Sequence, residues 1–171
     1  MYSQAMTEDT VARVVERWRN ERPDLDPTPM LVVGRIHRLA HMLDIALRPP
    51  FAAAGLGQGD FNALAALRRA GHPYSRTPGE LRESLMVTQG AVTKQVDRLL
   101  DKRLVTREVP AADGRRRRIT LTAAGVTLAD ELIATHLANE QRLLSSLTDD
   151  QVSDLARLLA ILAENLEARH T

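Results

Sequence analysis

The sequence contains no cysteine, which excludes disulfides, thiolate metal sites and thiol-based peroxide sensing within the chain. Aromatic residues make up only 3% of it, one Trp, two Tyr and two Phe. A core must therefore be aliphatic, and the abundance of Ala, Leu and Arg favours helices. No apolar run approaches the roughly 18 to 20 residues that cross a bilayer, and the polar start from Met1 to Asp9 has no secretory apolar stretch. A cytoplasmic protein without a membrane partner is expected. A nucleophile elbow, a phosphate-cradling glycine loop and a cluster of metal ligands are also missing, so an enzyme is not expected. His37 and His41, at i and i+4, could place two imidazoles on one metal, but no third ligand accompanies them in ligand spacing. Neither a metal nor a cofactor is expected.

What is present is 44% hydrophobic content over 171 residues, ample for a core. The net charge of +1 hides an asymmetry along the chain. From Lys94 to Arg118 nine Lys/Arg stand against four Asp/Glu, and from Ala123 to Thr171 three Arg stand against eight Asp/Glu. A basic segment beside an acidic helical one suggests a polyanion-binding face held by a lobe with another task, although solvated helix surface would explain the acidic part.

Periodicity predicts a helix from Thr7 to Glu21, with Thr7 as N-cap, Glu8 and Asp9 in its first turn, and Val11, Val14, Val15 and Trp18 on one face, where the indole reads first as a buried structural anchor and second as the wall of a ligand pocket. Thr28 and Pro29 open a second helix over Met30 to Leu47 that is apolar on more than one face, as expected for burial between lobes or subunits. Pro49-Pro50 stops or kinks it, and Phe51 to Gly55 adds a turn. Gln58 to Ala70 reads as a third helix ended by Gly71, and Thr77-Pro78-Gly79-Glu80 as a capping box for a short one through Ser84. His72 to Ser75 reads as a loop.

The stretch from Thr88 to Leu100 organises the rest. Val92, Val96, Leu99 and Leu100 form an apolar stripe, while Gln89, Thr93, Lys94 and Arg98 stay outside it. Thr88 can cap this helix, and Gly90 lets its first turn approach another surface closely. Such a turn suits the major groove, where base edges present donor and acceptor patterns, although an ordinary surface helix has the same pattern. Only Leu85, Met86 and Val87 separate it from the short helix, which is helix-turn-helix spacing. Residues 104 to 109 and Arg117-Ile119-Leu121 alternate like paired strands, with Asp113-Gly114 as the turn between them. Arg115, Arg116, Arg117 and Arg118 stand at the tip and return strand of that hairpin, suited to phosphates or a narrow minor groove, although a solvated edge would also carry them. Thr122 then caps a helix to about Leu144, and Thr148-Asp149-Asp150-Gln151 boxes a last one bearing Val152, Leu155, Leu158, Leu159, Leu162 and Leu166. Two long striped helices without a compact domain of their own call for a second copy.

The order helix, helix-turn-helix, hairpin, then Leu121-Thr122-Ala123-Ala124-Gly125 resembles the MarR family of transcriptional regulators over residues 28 to 168. The most specific parts are Val92 to Leu99 followed by Leu104-Val105-Thr106-Arg107, and Asp113-Gly114-Arg115-Arg116 followed by Leu121-Thr122. The resemblance implies a mainly α fold with a small β-hairpin wing, in which a winged helix-turn-helix DNA-binding lobe (residues 56–122) joins a dimerisation lobe of N-terminal (1–55) and C-terminal (123–171) helices. It implies a homodimer on a pseudo-palindromic operator in double-stranded DNA. Thr88, Gln89, Gly90, Thr93 and Lys94 then fall at base or nearby phosphate contacts, Arg98 at a backbone contact and Arg115 at the wing, with Asp113 bracing an arginine. Arg103 departs from the family, which has glycine at this left-handed helix end.

The N-terminal helix with Trp18 further resembles the urate-responsive branch, whose pocket lies between the two lobes. Trp18 matches that branch's tryptophan and Arg107 one of its arginines, whereas Asn62 stands where it has aspartate and Gln95 where it has a second arginine. Both ends of a charged pair have become amides, so a more neutral or apolar effector than urate is expected. The leading expectation is a ligand-responsive, sequence-specific regulator, a repressor released by a small molecule. An architectural or nonspecific DNA binder that senses nothing is the alternative.

Overall fold

The computed structural model describes residues 9–108 and 117–169. It divides into two compact units between Pro49 and Pro50, and Phe51 and Leu56 belong to the second unit's core.

The first unit holds α1 (Thr10–Glu21) and α2 (Met30–Leu47). Asp9, rather than Thr7, caps α1: its carboxylate accepts from the N–H groups of Val11 and Ala12 at 3.0 and 3.3 Å. Thr7 and Glu8 lie outside the described residues. Arg35 on α2 donates to the same carboxylate and holds it below the usual range. Of the expected α1 stripe only Val15 is fully buried, while Val14 and Trp18 are exposed. No residue of α2 is buried, and Val32, Val33, Leu39, Met42, Leu43 and Ile45 are exposed along it.

The second unit runs through α3 (Pro49–Ala53), α4 (Gln58–Arg69), β1 (Ser75–Arg76), α5 (Pro78–Leu85), α6 (Gln89–Asp101), β2 (Val105–Glu108), β3 (Arg118–Leu121), α7 (Ala123–Leu144) and α8 (Asp149–Glu167). The boxes at Thr77 and Thr148 and the caps at Thr88 and Thr122 form, whereas Thr28, expected to cap α2, does not: Pro29 is the N-cap residue and no side chain caps it. Glu80 accepts from the Thr77 N–H at 2.7 Å, Thr77 from Glu80, and Thr148 and Gln151 exchange the same pair. Gly71, at φ +75°, takes the left-handed position after α4 that favours glycine.

Phe51 and Phe61 stack at 4.1 Å between centroids, with the His136 ring 5.0 Å from Phe61. Around them Leu64, Leu67, Leu81, Val92, Val96, Leu99 and Ile119 are fully buried, which makes the aliphatic core that the composition demands. Arg68 reaches from α4 to Asp130 on α7 through two bonds of 2.7 and 3.2 Å. In contrast, no residue of α8 is buried, and Leu155, Leu158, Leu159, Ile161, Leu162 and Leu166 are exposed.

The sheet has three strands in the order β1-β3-β2, all antiparallel. The expected loop at residues 72–75 therefore ends in a strand, Ser75 pairing with Thr120 and Arg76 with Ile119. Two residues are too short a run for alternation to reveal. The expected wing turn, with Asp113, Arg115 and Arg116, lies outside the described residues.

Candidate nucleic-acid interface

Helix α5 ends at Met86, whose backbone is left-handed at φ +51° and whose side chain is 90% exposed. Val87 and Thr88 complete the turn, and the Thr88 hydroxyl accepts from the Ala91 N–H at 3.3 Å to start α6. The stripe Val92, Val96 and Leu99 is buried, which turns Thr88, Gln89, Gly90, Thr93 and Lys94 to solvent. A Cβ at Gly90 would meet nothing within 4 Å, so this turn is open on its outer side. The Thr93 hydroxyl donates to the Gln89 carbonyl at 3.1 Å and keeps its acceptor lone pairs and methyl group available. The arrangement presents one cationic, two hydroxyl and one amide side chain at a helix N-terminus, whose free N–H groups favour anions.

At the other end, Arg103 has φ +57°, in the left-handed region where a Cβ costs about 1 kcal/mol. The position is retained because the Arg103 and Leu104 N–H groups close the helix on Leu100 and Leu99, at 2.8 and 3.0 Å. The Thr122 hydroxyl sits 2.9 Å from the Arg103 carbonyl.

Two contacts tie α6 to its neighbours. Arg98 donates through Nε and Nη2 to Asp60 on α4, at 2.9 and 2.6 Å to one oxygen and 3.1 Å to the other. Asp60 is 2% exposed and also accepts from the Gly57 N–H at 2.9 Å, so this buried carboxylate is satisfied from two directions. Asp60 holds the Arg98 guanidinium more firmly protonated. Two nitrogens of Arg98, the residue that the resemblance places at a DNA-backbone contact, are committed within the fold, because a buried carboxylate left without a cation would be costly, while half of its side chain stays exposed. Asp60 was missed from sequence, although Gly57 followed three residues later by Asp60 is a box-like helix start. The second contact is Arg107 on β2, which donates to Asp97 at 2.7 Å.

The arginines of the return strand differ. Arg117 is exposed. Arg118, exposed as well, donates to the Ser75 hydroxyl at 2.9 Å and to the Ser75 carbonyl at 3.2 Å. Two of its donors therefore brace the sheet rather than point outward, because β1 lies beside β3.

The four expected pocket residues fall in both units. Trp18, 47% exposed, borders an open cavity of about 310 Å³ in the first unit with Arg22, Leu25, Asp26 and Pro27. In the second unit Asn62 accepts from Gln58 at 3.0 Å and borders a groove of about 670 Å³ with Arg68, Ser84, Asp130 and His136. Gln95 is 9% exposed and packs on Gly59, and Arg107 is held by Asp97. These three share no hydrogen bond or ion pair, and neither Gln95 nor Arg107 borders the groove. Among the described residues no group of three or more His, Asp or Glu could hold a metal ion. No described helix is long and apolar enough to cross a membrane.

This geometry has known counterparts. The regulator PecS of Dickeya dadantii is 35% identical over 156 residues, covering 91% of this chain and 94% of its own. Residues 54–116 match the MarR family model. The chain belongs to the MarR family. Its regulators are DNA-binding transcription factors, not enzymes. A solved structure of a single-site variant of MarR from Escherichia coli complexed with operator DNA is 28% identical, with a TM-score of 0.68 over 81% of this chain and 99% of that one. AbsC from Streptomyces coelicolor shares the fold at 21% identity, with a TM-score of 0.74 over 84% of this chain and 97% of AbsC.

Proposed function

We propose that this MarR-family protein is a ligand-responsive, sequence-specific repressor that acts in the cytoplasm as a homodimer on a pseudo-palindromic operator. The observation that carries the reading is the first turn of α6. Five exposed positions, Thr88, Gln89, Gly90, Thr93 and Lys94, project from a helix whose opposite stripe is sealed in the core. They are the groups that read base edges and clamp nearby phosphates in a major groove. The hairpin arginines, Arg115 and Arg116 with exposed Arg117, supply the nonspecific share of affinity to adjacent phosphates. The unburied apolar residues of α8 and of α2 are covered by a second copy, which gives the two half-site readers a fixed spacing. In this reading residues 56–122 form the DNA-binding lobe, and 1–55 with 123–171 form the dimerisation lobe.

The effector part rests on Trp18. A half-exposed indole beside a cavity is a suitable wall for a flat, largely apolar ligand. An effector that binds better to one spacing of the two reading helices shifts the dimer off the operator by that difference in affinity.

Selection of bound duplexes from a random pool at physiological salt tests the core of the proposal. A two-fold repeated sequence bound at least about a thousandfold more tightly than random duplex is expected. Equal binding of all sequences would leave a nonspecific architectural protein.

A further inference from the structure

Burial of the stripe Val92, Val96 and Leu99 sets which face of α6 is turned outward, but apolar packing is non-directional and fixes the helix's rotation about its axis less sharply than a hydrogen bond does. One directional contact and one packing contact lie beside the stripe, one turn apart on α6, and both end on the first turn of α4. Arg98 makes its forked bonds to Asp60 at 2.6 to 3.1 Å. Gln95 packs over Gly59 so closely that a Cβ there would come within 2.4 Å of its amide nitrogen. Asp60 cannot rotate away, since the Gly57 N–H holds its second oxygen at 2.9 Å and it is 2% exposed. Forked guanidinium–carboxylate pairs fix orientation as well as distance.

We infer that Asp60 and Arg98 are positioning residues for sequence recognition, a clasp from α4 that sets the rotation of α6 and so aims Gln89, Thr93 and Lys94 at base edges. Neither residue then needs to touch a base to decide specificity. The inference rests on the DNA-reading role proposed above for α6. Loss of the clasp lets the helix turn about its stripe, which misaligns base contacts while leaving the charge that attracts phosphates in place.

The test uses Asp60→Asn, Arg98→Lys, Arg98→Gln and the double variant Asp60→Asn with Arg98→Gln, each checked by thermal unfolding to be folded at the assay temperature. Affinity is measured for the selected operator and for random duplex of equal length over a salt series. Asp60→Asn should lower the operator-to-random ratio by about tenfold or more, with random binding equal to or tighter than wild type because Arg98 is freed. The double variant should lose no more specificity than Asp60→Asn, as expected for two ends of one interaction. Should Asp60→Asn fail to fold, Arg98→Lys decides, since it keeps a cation by the buried carboxylate but cannot make the fork. It must lower the ratio too. A ratio within twofold of wild type in the folded variants would overturn the inference. So would Arg98→Gln weakening operator and random duplex equally with a shallower salt slope, because that marks Arg98 as a phosphate contact. A wild-type protein without sequence preference would instead defeat the DNA-reading proposal itself.

Discussion

The carbonyl oxygen of Leu104 occupies the place where a side chain at Gly125 would begin: a Cβ built on Gly125 would lie 2.0 Å from it. This is a joint between the exit of α6 and the start of α7. The Thr122 N–H donates to the same carbonyl at 3.0 Å, and the Thr122 hydroxyl accepts from Gly125 at 3.0 Å. Gly125→Ala must therefore move backbone against backbone. It should destabilise the protein by about 1 to 3 kcal/mol, the range for overpacked sites, read as a lower denaturant midpoint at unchanged slope. A midpoint equal to wild type would mean that α7 shifts freely at its start.

The reading turn and the wing should separate experimentally. Gln89→Ala or Thr93→Ala, at exposed positions of α6, should flatten discrimination among operator variants by about 1 to 3 kcal/mol per lost base contact. Arg115→Ala with Arg116→Ala should weaken every duplex and reduce the salt slope by about 2, at about 0.9 per phosphate contact. An unchanged ranking of operator variants in the α6 substitutions would refute the assignment of that helix.

The exposed leucines of α8 should mark the subunit contact. The protein should sediment as a dimer at micromolar concentration, and Leu158→Glu with Leu159→Glu, both exposed, should yield the 18.9 kDa chain as a monomer that binds DNA weakly. A wild-type monomer at that concentration would sink the dimer.

Trp18 supplies an internal probe, being the single tryptophan of the chain. Its fluorescence should change with an effector that also releases operator DNA, and Trp18→Phe should abolish the signal. Urate should bind weakly or not at all, since Asn62 and Gln95 are amides. Gln95→Arg alone should be poorly tolerated, because Gln95 is 9% exposed against Gly59 and a new buried charge needs a partner. Adding Asn62→Asp should recover part of the loss only if the two side chains meet. Micromolar urate binding by the unmodified protein, with release of DNA, would show that the two amides have been misread.

Local chemistry determined much of this protein in advance. The capping boxes at Thr77 and Thr148, the caps at Thr88 and Thr122 and the stripe of α6 are short-range features, set by residues three or four apart. The N-terminal cap was legible only in kind: Asp9 replaces Thr7 because Arg35, 26 residues away in sequence, holds its carboxylate. Strand β1 escaped because two residues carry no period, and only pairing with β3 makes them a strand. Tertiary structure alone decided which arginines are committed. Arg115 to Arg118 and Arg98 look alike in sequence, and Arg98, Arg117 and Arg118 are all exposed, yet Arg98 is clasped by Asp60 and Arg118 by Ser75. A guanidinium bonds whichever acceptor the fold brings to it, and that acceptor's distance along the chain leaves no local signal.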